Sequence, residues 1–145
     1  MTSDLLIRYL HFIAIFVMFS MLTVQHLLLK GSVEVSILKK AAKFDMVYGV
    51  SALLAFLCGL GLWLWVGKPA GFYNDNWVFH LKIALFILAG VLSFVLTRFL
   101  FLNRKAQTPV AVPKLVTILL RVQLCILCVL PFLAIMMANG IGYTQ

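Results

Sequence analysis

Residues 5–29 read LLIRYLHFIAIFVMFSMLTVQHLLL, and this stretch decides the class of fold. A helix needs ~20 mainly apolar residues to cross a hydrocarbon layer ~30 Å thick, and this run exceeds that length. Three more runs follow: Val47–Val66, Trp77–Leu102 and Leu115–Ala138. Lipid offers no partner to backbone N–H and C=O groups, so each run is expected to be a helix and not an open strand. The composition agrees, with 64% hydrophobic and 11% charged residues, which excludes an ordinary soluble domain. The expectation is an all-α, integral-membrane four-helix bundle forming a single membrane domain over residues 1–145. Its helices are placed at about 5–29, 45–66, 77–102 and 115–138. The first run is too long for a signal-peptide core, lacks a basic leader and shows no A-x-A-type cleavage site, so it is read as a retained span.

The net charge is +8, and its placement carries information. Lys30, Lys39, Lys40 and Lys43 follow the first span, while Arg98, Arg104, Lys105 and Lys114 surround the third connection. The second connection carries only Lys68, and Gly140–Gln145 carries no charge. Lys/Arg excess marks cytoplasmic loops, which predicts both termini on the non-cytoplasmic side. The expected location is the bacterial inner membrane, with the basic loops touching anionic headgroups. Nucleic acid is not an expected partner, because no basic–aromatic surface exists outside the loops. Trp63, Trp65, Phe72, Tyr73 and Trp77 bracket the second connection as an interfacial belt. Residues 32–43 read as a short amphipathic helix lying on the inner surface. Residues 107–113 read as an irregular loop.

Polar residues inside the spans are the candidates for function, because ionisable groups at that depth are costly. With His11 set at zero and roughly 100° per residue, Arg8 and His26 fall near +60°, Met18 near −20° and Gln25 near −40°. This reads as one polar stripe lining the bundle. On the second span Asp45, Ala52 and Gly59 recur every seven residues, with Tyr48 beside Asp45 at the level of His26. A His26–Asp45 contact is expected there. On the third span His80 and Lys82 point ~200° apart, and Lys82 shares its side with the small and polar residues Ala89, Ser93 and Thr97. On the fourth, Arg121 requires a partner, and the candidates are Asp45, Tyr48, Gln123 or a bound anion. Cys125 and Cys128 follow Arg121, and Pro131 is expected to kink the helix. Three cysteines without a disulfide framework are read as small hydrophobes.

His11 and His80 lie a short way in from the same membrane face, ~9 Å past Leu5 and ~4.5 Å past Trp77, on parallel helices. Such a pair suits a haem iron, with Arg8 and Lys82 as partners for porphyrin propionates. Zinc fits less well, since it takes three or four ligands and this region supplies two. A separate inner cluster comprises His26, Asp45, Tyr48 and Arg121.

Arg8-Tyr-Leu-His11, Gln25-His26, Asp45-Met-Val-Tyr48-Gly49, Trp77-Val-Phe-His80-Leu-Lys82 and Asn139-Gly-Ile-Gly142 together resemble a bacterial family of small four-helix membrane proteins of unassigned function. More distantly, Leu10-His11, Tyr48-Gly49, Gly61-Leu-Trp-Leu-Trp65 and Trp77 to Lys82 are similar to the HemJ-type protoporphyrinogen IX oxidases. That resemblance implies haem b or a porphyrin bound between the first and third spans for redox or tetrapyrrole chemistry. It makes His11 the expected iron ligand and His80 and Lys82 the cofactor or substrate contacts. The chain departs from that family at Val91-Leu-Ser-Phe-Val, where a second histidine is missing, and it lacks an Asn-Glu-x-Pro element in the last span. Two other functions fit the same residues. One is a small transporter using the stripe and Arg121 as a path for an anion or a proton. The other is a non-catalytic membrane subunit, and the small-residue faces also suit a homo-oligomer.

Overall fold

The structure is a computed structural model that describes residues 2–143. Its element order is α1 (Thr2–Leu28), β1 (Ser32–Val33), α2 (Val35–Gly61), a π-helical turn (Leu62–Val66), α3 (Ala70–Asn74), α4 (Trp77–Leu102), β2 (Val110–Ala111) and α5 (Lys114–Ala138). Four helices are long and apolar enough to cross a membrane, with mean hydropathy between 2.0 and 2.5. Large apolar side chains such as Leu5, Phe16, Phe94, Phe132 and Ile135 stay exposed along them, which is the surface a bilayer covers.

The helices form two antiparallel hairpins, α1 with α2 and α4 with α5. The hairpins join where α1 meets α5 and α2 meets α4, so α1 and α4 are diagonal neighbours rather than an adjacent pair. In lipid, packing and hydrogen bonds hold helices together, with little hydrophobic drive between them. Met18 and Leu22 of α1, Ala41 and Ala55 of α2, Ala89 of α4 and Leu120 of α5 are buried in that core. The side of α4 carrying Lys82 was expected to be a helix interface, and Ala89 and Thr97 on it do meet the rest of the bundle.

Residues 32–43 are not a separate interfacial helix. Ser32–Val33 pairs antiparallel with Val110–Ala111, and the spanning helix already begins at Val35. The second span therefore starts about ten residues before the position expected from hydropathy. The reason is that Lys39, Lys40 and Lys43 dilute the apolar signal without breaking the helix, since Lys is a good helix former. Gly31 at φ +63° turns the chain out of α1, and its carbonyl accepts from Val112 N at 2.7 Å. The ribbon thus ties the two basic loops together over buried Leu29 and Val33.

At the opposite end the tail folds back onto the start of α4. Trp77 N donates to Gly142 O at 3.1 Å. Asn76, fully buried, accepts from Val78 N and Phe79 N and donates to Ile141 O. Aromatic contacts surround this clamp: Trp63 meets Phe79 edge-on, and Phe72 stacks on Tyr143. The expected belt of aromatics is therefore partly a packed plug. α5 stays helical through Pro131, which sits on the exposed side, where a membrane helix tolerates proline.

Candidate functional site

The polar residues separate into two clusters, one toward each end of the bundle. Toward the tail end, His11 is half-buried, with Nδ1 2.8 Å from the carbonyl oxygen of Ala55 on α2. A carbonyl only accepts, so Nδ1 carries the proton in this bond. Gly59 lies beside the ring, and a Cβ there would stand in ordinary contact with His11 Cε1 at 3.6 Å. The Lys82 ammonium on α4 acts electrostatically on this imidazole. Lys82 is itself half-buried and makes no ion pair among the described residues.

The other two members of the expected outer constellation do not join them. Arg8 is exposed, and its Nε donates to Asp4 at 2.9 Å. His80 is exposed on the first turn of α4, with Nε2 2.9 Å from Asn74 O. Helical phase explains the split. His80 and Lys82 point to opposite sides of α4, so when Lys82 turns inward His80 must turn out. The interior receives one imidazole and one ammonium, in place of two imidazoles flanked by two cations. That donor set does not fit a haem clamped between two histidines. Among the described residues no group of three or more His, Cys, Asp or Glu is placed to hold a metal ion.

The cluster toward the basic end is built around Asp45. Thr97 Oγ1 of α4 donates to Asp45 Oδ2 at 2.7 Å, and Gln25 Nε2 of α1 approaches Oδ1 at 3.4 Å and Ala41 O at 3.3 Å. One carboxylate thereby links three helices. Tyr48, buried one turn further along α2, lies close enough for its hydroxyl and Asp45 to interact electrostatically. Among the described residues no cation pairs with Asp45. Arg121, for which Asp45 was one candidate partner, is exposed on a groove between α4 and α5 with Leu85 and Cys125. His26 makes no hydrogen bond to Asp45, and its buried Nδ1 has no partner among the described residues.

The same region holds an unusual set of unsatisfied amides. Gln25 and Gln123 are both fully buried. Gln25 Oε1 and both polar atoms of Gln123 lack a hydrogen-bond partner among the described residues. Each buried polar atom left unpaired costs about 1–3 kcal/mol, so this end of the bundle favours water or a hydrated ion among its side chains.

The stripe on α1 was expected to run through Arg8, His11, Gln25 and His26. The buried residues Ala14, Met18, Leu22 and Gln25 instead centre the interior face near −25°, by the rule of roughly 100° per residue. His11 falls within it, while Arg8 and His26, both near +60°, fall at its margin. Gln25 and not its neighbour therefore meets Asp45. Sequence reasoning placed Gln25 in the stripe lining the bundle, Thr97 on a helix interface and Gln123 among the candidate partners of Arg121, and it named none of them as a site residue. Centring the arc on the small and apolar residues as well as the polar ones would have selected Gln25. Of the cysteines, Cys58 is buried as a small hydrophobe, whereas Cys125 and Cys128 lie on the exposed side of α5.

Between the clusters, the inward side of α2 carries Asp45, Tyr48, Ser51, Ala55 and Cys58 at steps of three or four residues. Asp45 to Ala55 spans ~15 Å along the axis. The facing side of α1 offers only Ala14, Met18 and Leu22 over the same interval.

Residues 3–142 match a family described as predicted membrane protein (DUF2214). No curated protein and no solved structure matches the chain.

Proposed function

The chain belongs to this DUF2214 family of predicted membrane proteins, and on the geometry of its interior we propose that it carries protons across the bilayer. The observation that supports this reading is Asp45, a carboxyl group within a membrane span, held by donors from two other helices and paired with no cation among the described residues. Intramembrane carboxyl groups of this kind are the usual members of proton relays. Two donors offset part of the cost of the charged form, while burial opposes it, and such a balance suits a group that takes up and releases a proton. Tyr48 and Ser51 continue from Asp45 along α2 toward Ala55, whose carbonyl meets His11, and the charge of Lys82 acts on that ring. The unpaired amides of Gln25 and Gln123 provide sites for water on the basic side of Asp45. Arg121 has no place in this path, because it faces the outer groove.

The test is proton flux into liposomes holding the purified full chain, read with an enclosed pH-sensitive dye under a potassium diffusion potential. The parent chain is expected to acidify or alkalinise the lumen according to the sign of the potential. Asp45→Asn keeps the shape and one acceptor for Gln25 or Thr97, and it is expected to abolish the flux. Silence of the parent chain, or an Asp45→Asn variant as active as the parent, would overturn the proposal.

A further inference from the structure

On the basic side of the Asp45–Thr97 bridge, α2 and α4 part and enclose a hollow of about 250 Å³. Lys39 and Lys43 line it from the first turns of α2, and Asn103 and Arg104 line it from the end of α4. Its apolar wall includes Leu38 and Leu100, both buried. No acidic residue lines the hollow; Glu34, just before α2, is exposed and outside it. Lys39 and Lys43 are four residues apart, so they stand on one face of α2, where like charges repel. Among the described residues no carboxylate pairs with either lysine or with Arg104. Arg104 lies over the Phe101 ring at 4.1 Å, which holds the guanidinium against the wall and leaves its fork free. Lys39 and Lys43 lie in the first turns of α2 and Arg104 just past the last turn of α4, so these cations sit at the ends of the two spans, where headgroups meet a membrane helix.

From this arrangement we infer that the hollow between α2 and α4 binds an anionic phospholipid, with Lys39, Lys43 and Arg104 around its phosphate and Leu38 and Leu100 against its glycerol and upper acyl chain. The occupant is fixed by two complementarities acting together. Three exposed cations with no acidic residue in the lining favour an anion, and the apolar wall of Leu38 and Leu100 favours one that carries a tail. A free phosphate meets only the first demand. A zwitterionic lipid meets only the second.

The experiment is native mass spectrometry of the full chain in detergent, titrated with phosphatidylglycerol, with phosphatidylcholine of the same acyl chains, and with inorganic phosphate. The parent chain is expected to retain phosphatidylglycerol in preference to phosphatidylcholine by a factor on the order of 10 or more, and to retain phosphate no better than phosphatidylcholine. Combined Lys39→Gln, Lys43→Gln and Arg104→Gln is expected to remove that preference. Lys105→Gln with Lys114→Gln, on the same face but outside the hollow, is expected to keep it. Ala42→Phe leaves every charge in place and fills the hollow with a ring, so it too is expected to abolish the preference. Equal loss in the Lys105/Lys114 control, an unaffected Ala42→Phe chain, or inorganic phosphate bound as well as the lipid would each overturn the inference. None of these outcomes depends on proton flux.

Discussion

Asn76→Ala offers the sharpest test of how the tail end of the bundle is closed. The wild-type side chain, with no solvent exposure, accepts from Val78 N at 2.9 Å and Phe79 N at 3.4 Å and donates to Ile141 O at 3.3 Å. Loss of an N-cap alone costs about 1 kcal/mol. The substitution also leaves Ile141 O without this donor in a partly buried place, which adds about 1–3 kcal/mol. The expected total is about 2–4 kcal/mol, which corresponds to a fall in Tm of roughly 5–15 °C for a chain of this size. The assay is thermal unfolding of the detergent-solubilised protein, followed by reaction of a fluorogenic maleimide with Cys58. Cys58 is buried, so it reports loss of the core, and Cys125→Ser with Cys128→Ser removes the exposed thiols that would react at once. Asn76→Asp keeps both acceptor contacts and loses only the donation to Ile141 O, so its Tm should fall between parent and alanine variant. If Asn76→Ala melts within about 1 °C of the parent, the capping argument is wrong.

Further outcomes follow from the same contacts. Gly142→Ala places a Cβ 2.4 Å from Val78 Cγ2 at a backbone φ of +89°, and it should destabilise by at least about 2 kcal/mol in the same assay; a neutral result would mean that the tail does not dock on α4. Thr97→Val removes the 2.7 Å bond to Asp45 and should cost about 1.5–3 kcal/mol, as for a hydrogen bond to a charged group. An unchanged Tm would show that Thr97 does not tie α4 to α2. Gln123→Leu replaces two unpaired buried polar atoms with an apolar side chain of similar size, so it should raise Tm while lowering proton flux. A destabilised Gln123→Leu chain would show that the amide is already satisfied. Gly59→Ala puts its Cβ in ordinary contact with His11 and should be nearly neutral, whereas Gly59→Leu should displace His11 from Ala55 O and lower Tm.

How much of the site was legible differs from one residue to the next. Asp45, Tyr48, His11 and Lys82 stood out as ionisable groups within apolar runs, and each lies at a cluster in the folded chain. Arg8 and His80 stood out equally, yet they face outward, one paired with Asp4 and the other resting on Asn74 O. Near a helix end a polar side chain can reach headgroups or the adjoining loop, so its presence in an apolar run does not decide which way it faces. Arg121 is the harder case, because a cation that far inside a span was expected to find a partner, with the Asp45 carboxylate among the candidates. It lies on the far side of α5 from the position that would reach Asp45, while Gln25 and Thr97 satisfy both carboxylate oxygens.

By itself the sequence determined the four spans, their helical nature and the unequal charge of the loops. These follow from chain length, side-chain transfer to lipid and the backbone's need for internal hydrogen bonds, all of which are properties of a segment taken alone. Helical phase added the direction of each side chain within its own helix, including the opposition of His80 and Lys82. Only the tertiary structure decided which helices touch, and through that which polar groups meet. The diagonal placement of α1 and α4, the choice of Gln25 over His26 for Asp45, and the hollow between Lys39, Lys43 and Arg104 all depend on interhelical packing. In a bilayer that packing is set by the fit of small and large side chains across several helices at once, which no single segment encodes.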